Sequence, residues 1–405
     1  MRLAVLVLGY RFFVFKVVYL PHKKGYLHLM DNFLHIIAFD IPYPPNYGGA
    51  IDVYFRIKAL SENGVKVILH CFEYNRAKSD VLDSVCYKVY YYKRNTSIFS
   101  HFSYLPYTVL SRKNKELCYN LSKDNYPILF EGLMSCYYLN SQLLKNRIKI
   151  YREANIEHHY YMELFKATRL STNKIYYLFE SIKFAFFEKK LNHAQLILAI
   201  SEIDKNYYTS KCPQIAVDFI PCFHSNQQVT INCKKGDFLL YHGNLSVPEN
   251  EKAVEYLCEN VFAKLKYKCL IAGMNPSDRL KRFCKQYPNV QVIANPDDLQ
   301  LKALVRDAQV HVLVTFQSTG LKIKLLNTLF AGKHVLVNDK MLVGSGLDSL
   351  CVIANTPSEQ IDACNKLMQQ AFSEEDIQTR NSLLIPHFSN DFLAKKVMNL
   401  LHFHR

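Results

Sequence analysis

The sequence predicts an α/β protein built as two doubly wound sheets joined by a short linker, and three observations carry that prediction. Short β-branched apolar runs alternate with helix-length segments from Phe33 to Ala354. Residues 310–315 and 334–337 are apolar almost without interruption, the pattern of parallel strands covered on both faces. At 405 residues the chain is too long for one ordinary core, and a polar stretch at 224–236 divides the alternation in two.

Taken in order, residues 33–39 read as a strand and 41–49 (IPYPPNYGG) as a rigid loop closing on Gly48 and Gly49. Residues 50–62 form a helix and 65–71 the next strand, one βαβ unit with a glycine-bearing first turn. It lacks G-x-G-x-x-G, so a dinucleotide fingerprint is absent. Gly48 and Gly49 would let a ligand approach the backbone at the helix start, and turn geometry accounts for them equally well. Strands are expected at 87–92, 127–130, 148–151 and 196–201, with the first half ending near Pro221. After the linker come strands at 238–242, 269–272, 290–294, 310–315, 334–337 and 351–354, and a last helix at 391–403 that would pack back across both lobes.

Between the strands at 310 and 334, Gly320 opens an amphipathic segment with Leu321, Leu325, Thr328 and Leu329 on one face. Gly332 closes it as a residue able to adopt positive φ. Lys322 and Lys324 fall in the first turn, where positive charge opposes the helix dipole. A cation so placed calls for an anionic partner. Free backbone N–H groups and two ammonium groups would together neutralise a phosphate at the carboxyl end of a parallel strand. The plain alternative is that both lysines point into water.

Composition narrows the partners. Apolar residues make up 49% and charged residues 21%, and the net charge is +15. That excess favours polyanionic partners, but no arginine-rich arm or zinc-finger spacing supports nucleic acid. A cytoplasmic location, at the inner face of the membrane, fits better. Twelve cysteines occur without a C-x-x-C pair, which suggests neither a zinc ribbon nor a disulfide framework. In the first 29 residues, the apolar stretch from Leu3 to Leu20 carries Arg11 and Lys16. Each would cost roughly 3 kcal/mol near a bilayer centre, so a spanning helix is not expected. Three readings remain, an interfacial anchor, an extra strand, or translated upstream sequence ahead of a start at Met30, and the last is favoured.

Two Rossmann-like doubly wound lobes with a basic helix start in the second resemble the GT-B fold glycosyltransferases, and the motifs are most similar to the family 4 retaining enzymes. Aligned on Gly332, the family's two glutamates eight positions apart fall on Thr319 and Asn327, so both acids are missing. Glycine followed by lysine-x-lysine, as in Gly320, Lys322 and Lys324, resembles a branch from bacterial surface-polysaccharide loci. The segment LLYHGNLSVPEN matches that branch at Gly243, Asn244, Pro248 and Asn250, without the arginine and lysine that many relatives use on the diphosphate. FEGLMSCYYL and REANIEHHYYMELF resemble the segments of its cleft wall. Met134 and Ala154 replace histidines there, while Asn155, Glu157 and His158 keep the pattern.

The resemblance implies two lobes facing across a cleft. Residues 30–223 would form the acceptor lobe, 224–236 the linker, 237–386 the nucleotide-sugar donor lobe, and 387–405 a helix packing back across lobes, with 1–29 an extension. It implies hexosyl transfer with retention from a nucleotide-diphosphate sugar to a saccharide or lipid-linked acceptor, with no metal and no cofactor. Lys322, Lys324 and His158 would be catalytic. Gly48, Gly49, Glu157, Gly243, Asn244, Asn250, Thr319, Gly320 and Asn327 would bind substrate, an asparagine at 327 being able both to donate to and accept from a ribose. Basic and aromatic residues at 90–94 (YYYKR) and 99–112 suit a lipid interface or an ordinary solvated strand end. Rival readings are an epimerase or phosphorylase on the same fold, a non-catalytic nucleotide-sugar binding subunit, and a nucleic-acid binder.

Overall fold

The computed structural model describes residues 32–168, 172–317 and 323–403. The extension at 1–29 and the Met30 start therefore lie outside the described residues, as do Thr319, Gly320 and Lys322. Residues 31–405 form one compact unit, described below.

The first sheet contains β1 (Phe33–Ile37), β2 (Lys66–Glu73), β3 (Lys88–Lys93), β4 (Ile128–Glu131), β5 (Lys149–Arg152), β6 (Leu196–Ala199) and β7 (Ala216–Phe219). Its order is β3-β2-β1-β4-β5-β6-β7, and every pairing is parallel. β7 is the strand the apolar-run reading omits: AVDF carries a charge and lies half-buried at the sheet edge, so no hydrophobic run marks it. The helices are α1 (Gly48–Glu62), α2 (Asp80–Val85), α3 (Tyr107–Leu110), α4 (Lys115–Leu121), α5 (Glu157–Ala167), α6 (Thr172–Phe187) and α7 (Glu202–Lys211). Both faces of the sheet are covered, which is why its inner strands read as apolar runs while the edge strands β3 and β7 do not. Leu34 and Ile36 pack with Ile57 and Leu60 of α1, while Ile37 and Phe130 pack with Phe184 of α6 and Tyr208 of α7 on the other face.

The second sheet contains β8 (Phe238–Asn244), β9 (Lys268–Met274), β10 (Val290–Ala294), β11 (Val310–Leu313), β12 (His334–Val337) and β13 (Val352–Ile353). All its pairings are parallel, in the order β10-β9-β8-β11-β12-β13. Its helices are α8 (Pro248–Asn260), α9 (Asp278–Cys284), α10 (Asp298–Asp307), α11 (Ile323–Ala331), α12 (Asp339–Leu342), α13 (Pro357–Gln369) and α14 (Glu374–Phe388). The stripe expected on α11 is its core face: Leu325, Thr328 and Leu329 are fully buried. Each of the two leucines contributes roughly 1.5–3 kcal/mol by leaving water.

Gly332 departs from expectation. The described glycines with positive φ are Gly64, Gly132, Gly344 and Gly346, and Gly332 is not one of them. Its requirement is steric, because a Cβ there would stand 2.2 Å from Nε2 of the fully buried His311.

The chain returns to the first lobe at its end. α14 packs into the second lobe through Leu384 and Phe388, whereas α15 (Asn390–Leu400) places Leu393, Ala394, Val397 and Met398 in the first-lobe core. The crossing is pinned where the linker leaves the first lobe. Asn390 Nδ2 donates to His224 O at 2.7 Å, and the His224 ring bonds Phe388 O at 3.0 Å. A buried ion network secures the same point from the sheet side. Asp52 pairs with Arg56 at 2.9 Å and with Arg152 at 3.3 Å, Arg56 also holds Glu131, and the Phe223 N–H donates to Asp52 at 2.7 Å.

Candidate active site

In doubly wound sheets, room for a ligand opens at the carboxyl ends of the strands where the winding reverses. That point lies between β1 and β4 in the first sheet and between β8 and β11 in the second. The chain leaves β1 toward α1 and β11 toward α11, so the amino ends of both helices stand at these points. They meet across the lobe boundary: a Cβ on Gly48 would lie 3.7 Å from Ile323 Cδ1. Burial first, then Glu157, Tyr177 and the Glu249 carboxylate of α8, push up the phenol pKa of Tyr160 on α5.

On the second-lobe wall four residues singled out by sequence come together. Lys324, second residue of α11, donates to Asn250 Oδ1 at 3.1 Å and reaches the Tyr241 hydroxyl at 3.4 Å, with its ammonium 5.0 Å from that ring's centroid. Tyr241 donates to the same Asn250 oxygen at 3.0 Å, and Asn250 Nδ2 donates to Asn244 O at 2.8 Å. Gly243 lies against the Asn250 amide, where an added Cβ would stand 3.4 Å from Nδ2. The ammonium is thereby held on two oxygen acceptors. Behind it, the Thr328 hydroxyl donates to Lys324 O at 2.7 Å, so the Nε2–H of His242 must be the donor in its 2.8 Å bond to Thr328. Burial first and Lys324 second bring His242 to a pKa of about 3, which keeps it neutral and leaves the lysine as the local charge.

Residues 236–370 match the family described as Glycosyl transferases group 1. The second lobe is a glycosyl transferases group 1 domain. A Klebsiella pneumoniae protein described as an uncharacterized 44.6 kDa protein in the cps region is 28% identical over 323 residues, covering 73% of this chain and 81% of that protein. Sucrose-phosphate synthase from Thermosynechococcus elongatus superposes with a TM-score of 0.66 at 14% identity, covering 92% of this chain and 98% of that one. Anabaena HepE, solved with UDP and glucose, gives 0.63 at 9% identity, over 91% and 99% of the two chains. TarM gives 0.65 at 10% identity, over 91% and 98%. At such identities these structures show the shared two-lobed GT-B fold, and the domain match makes the chain a glycosyltransferase.

Other candidates sit elsewhere in the glycosyltransferase. Asn327 Oδ1 accepts from Asn226 Nδ2 at 3.0 Å, which ties α11 to the linker. Gly49 is closely packed, since a Cβ would meet the Phe39 ring at 2.8 Å and the Tyr47 ring at 3.1 Å. Glu157, at the start of α5, is buried; burial raises its carboxyl to about 8, opposed by Arg112 and reinforced by Glu188. The described partners of His158 are all first-lobe groups: its ring lies 3.7 Å from the Glu188 carboxylate and 6.1 Å from Tyr207, and burial lowers its pKa to about 4.

The segment at 90–94 does not present three tyrosines to a lipid interface. Tyr92 is 1% exposed and its hydroxyl bonds His70 Nδ1 at 2.8 Å, because alternation along β3 turns that side chain into the core. Arg112 is buried as well, donating to Phe39 O at 2.8 Å and so bracing the loop that follows β1.

Sequence reasoning missed Tyr241, Glu249 and Thr315. Tyr241 sits inside an apolar run and reads as core. Glu249 lies between the matched Pro248 and Asn250, a position the motif itself could have flagged, and it accepts from the Thr315 hydroxyl at the end of β11.

Proposed function

We propose that this glycosyltransferase moves a hexose from a nucleotide-diphosphate donor to a saccharide or lipid-linked acceptor, with retention, in the synthesis of a bacterial surface polysaccharide. The observation that carries this reading is the meeting of the two helix amino ends, Gly48 against Ile323, with Lys324 beside them. Backbone N–H groups at a helix start and a fixed ammonium stabilise negative charge where it develops, on the leaving diphosphate. Lys324 is already oriented by Asn250 and Tyr241, so little rearrangement precedes bond breaking. The bond from the sugar carbon to the phosphate oxygen breaks, the acceptor oxygen bonds the same face, and the acceptor proton passes to the departing phosphate. In this reading the protein supplies position and charge, and neither metal nor cofactor takes part. The cps region named for the Klebsiella relative supports the polysaccharide setting, and the UDP and glucose in the HepE structure support a nucleotide-sugar donor.

The test begins with a thermal-shift screen against nucleotide sugars, since a ligand bound only by the folded state raises the melting temperature. With the donor found, Lys324→Ala should raise the transfer barrier by about 3 kcal/mol, roughly a hundredfold in rate, without a comparable loss of stability. Unchanged turnover in that variant would remove the assignment. Tight donor binding with no transfer over a broad acceptor panel would instead favour a non-catalytic subunit, the reading that the missing acids at 319 and 327 support.

A further inference from the structure

α6 is apolar on two opposite faces. Phe184 and Phe187 are buried in the first lobe, while Ile175, Phe179, Ile182 and Phe186 are between 45% and 67% exposed. Their spacing of four, three and four residues puts the exposed set on one stripe of the helix. Nothing in sugar transfer at the lobe boundary requires it.

The stripe does not stand alone. The 3-10 helix Ile98–Phe102 is fastened beside it, with Lys183 Nζ donating to His101 O at 2.9 Å and the His101 ring 5.6 Å from that of Tyr176. It adds Ile98, Phe99 and Phe102, and Tyr104 follows, all 69% to 86% exposed. Exposed apolar surface gathered this way on a protein that otherwise buries its core marks an interaction site.

Charge identifies the partner. Residues 93–115 contain no carboxylate and five lysines and arginines, four of them outside the core because Arg112 is buried. Residues 172–190 contain four lysines, and their only acids, Glu180 and Glu188, are buried. On the neighbouring α5, Glu163 is neutralised by Lys166 at 2.7 Å. The face is thus apolar, basic and without an exposed carboxylate in either segment. Lysine is depleted in protein–protein interfaces, yet here it is interleaved with the rings: Lys189 lies 5.6 Å from the centroid of Phe186, and Lys174 4.9 Å from that of Phe165. Aromatic bodies flanked by lysine heads match the boundary of an anionic bilayer, where rings enter the acyl layer and ammonium groups stay at lipid phosphates.

We propose that this face, the exposed stripe of α6 together with the 3-10 helix at 98–102, docks the protein on an anionic lipid surface. α6 packs on α5 through Phe184 against Tyr161, 5.1 Å between centroids, and the preceding residue of α5, Tyr160, has its phenol pKa raised by burial first and in smaller part by Glu249 of the second lobe. Docking would therefore set the lobe boundary one helix away from the bilayer, within reach of an acceptor carried on lipid. The docking itself does not depend on the transfer reading.

The full chain is sedimented with vesicles of equal parts phosphatidylglycerol and phosphatidylcholine, and with vesicles of phosphatidylcholine alone. It should partition strongly onto the anionic vesicles, weakly onto the neutral ones, and release in high salt. Phe179→Ser with Phe186→Ser should weaken partitioning roughly tenfold for each ring removed, while the melting shift produced by a nucleotide sugar stays as in the parent. Lys174→Glu with Lys189→Glu should weaken binding to the anionic vesicles alone. Equal partitioning of parent and double-serine chains overturns the proposal, as does equal binding to both vesicle types. A solution dimer that the serine pair dissociates, without vesicle binding, overturns it too and gives the face to a second copy. Vesicle binding that persists in a chain showing no donor binding would remove the transfer reading and leave this surface in place.

Discussion

At the scale of single residues, Gly332 and His311 show how a small side chain can be required by a neighbour and not by its own backbone. His311 is fully buried, and an added methyl at 332 would press on its ring. Gly332→Ala should therefore cost about 1–3 kcal/mol of stability, the range for overpacking a well-filled core. The cause can be separated from backbone strain by a double variant, because residues in contact do not add. In a His311→Ala background the alanine at 332 should cost close to nothing, as read from urea midpoints. An unchanged cost there would show that the backbone, and not the ring, demands glycine. Lys324 follows the same logic at the site, since its ammonium is positioned by Asn250 and Tyr241, groups some seventy to eighty positions away in the chain.

At the scale of elements, the ion network around Asp52 joins α1, β4, β5 and the start of the linker. Burial alone would raise the Asp52 carboxyl, but Arg152 and Arg56 reverse that and hold it below its ordinary value. Glu131, which accepts from Arg56, is pushed up to about 6 by burial first, against the attraction of Arg56. Removing one member leaves uncompensated charge in the interior. Asp52→Ala should destabilise the first lobe by about 3–5 kcal/mol and speed hydrogen exchange at the Phe223 amide, which loses its acceptor. A loss below about 1 kcal/mol with that amide still protected would mean that water or a rearranged guanidinium replaces the carboxylate.

At the scale of the whole molecule, burial leaves many groups titrating away from their ordinary values, and the signs can be summed. Eight described histidines, at 35, 70, 158, 159, 224, 242, 311 and 334, have lowered pKa values. Each adds stability that is present above the unfolded value near 6.5 and lost as pH falls below it. Five glutamates, at 131, 153, 157, 180 and 188, have raised values and act in the opposite sense, losing their contribution as pH rises through the folded pKa. Histidines outnumber glutamates below about pH 6.5, so stability should climb from about pH 5 to 6.5. Above about pH 6.5 the histidine gain is complete, while Glu157 stays protonated in the folded chain up to about 8 and goes on losing its contribution, so stability should fall between about pH 6.5 and 8 and level off beyond. Urea midpoints across this range test the curve. A maximum below pH 5 would show that the buried histidines are charged in the folded protein. Part of the histidine effect is built as a single hydrogen-bonded chain. Asp124 accepts from His35, His35 from His70 and His70 from the Tyr92 hydroxyl, a direction that holds while both imidazoles are neutral.

By itself the sequence determined the layered architecture and singled out Gly243, Asn244, Asn250 and Lys324, which the structure brings together. Parallel strands buried on both faces announce themselves as unbroken apolar runs, and turn glycines with the lysine-x-lysine start are local signals that survive without a fold. β7 escaped because an edge strand needs no such run, and Tyr241 escaped because an aromatic in a core strand looks like packing whether or not its hydroxyl holds a lysine. Tertiary structure alone decided which elements meet. Gly48 lies against Ile323, Asn250 and Tyr241 hold Lys324, Tyr92 turns inward, and the second face of α6 stays in solvent. The reason is range: periodicity and propensity act within a few residues, whereas these contacts join groups far apart in the chain, which only the packing of the two sheets brings together.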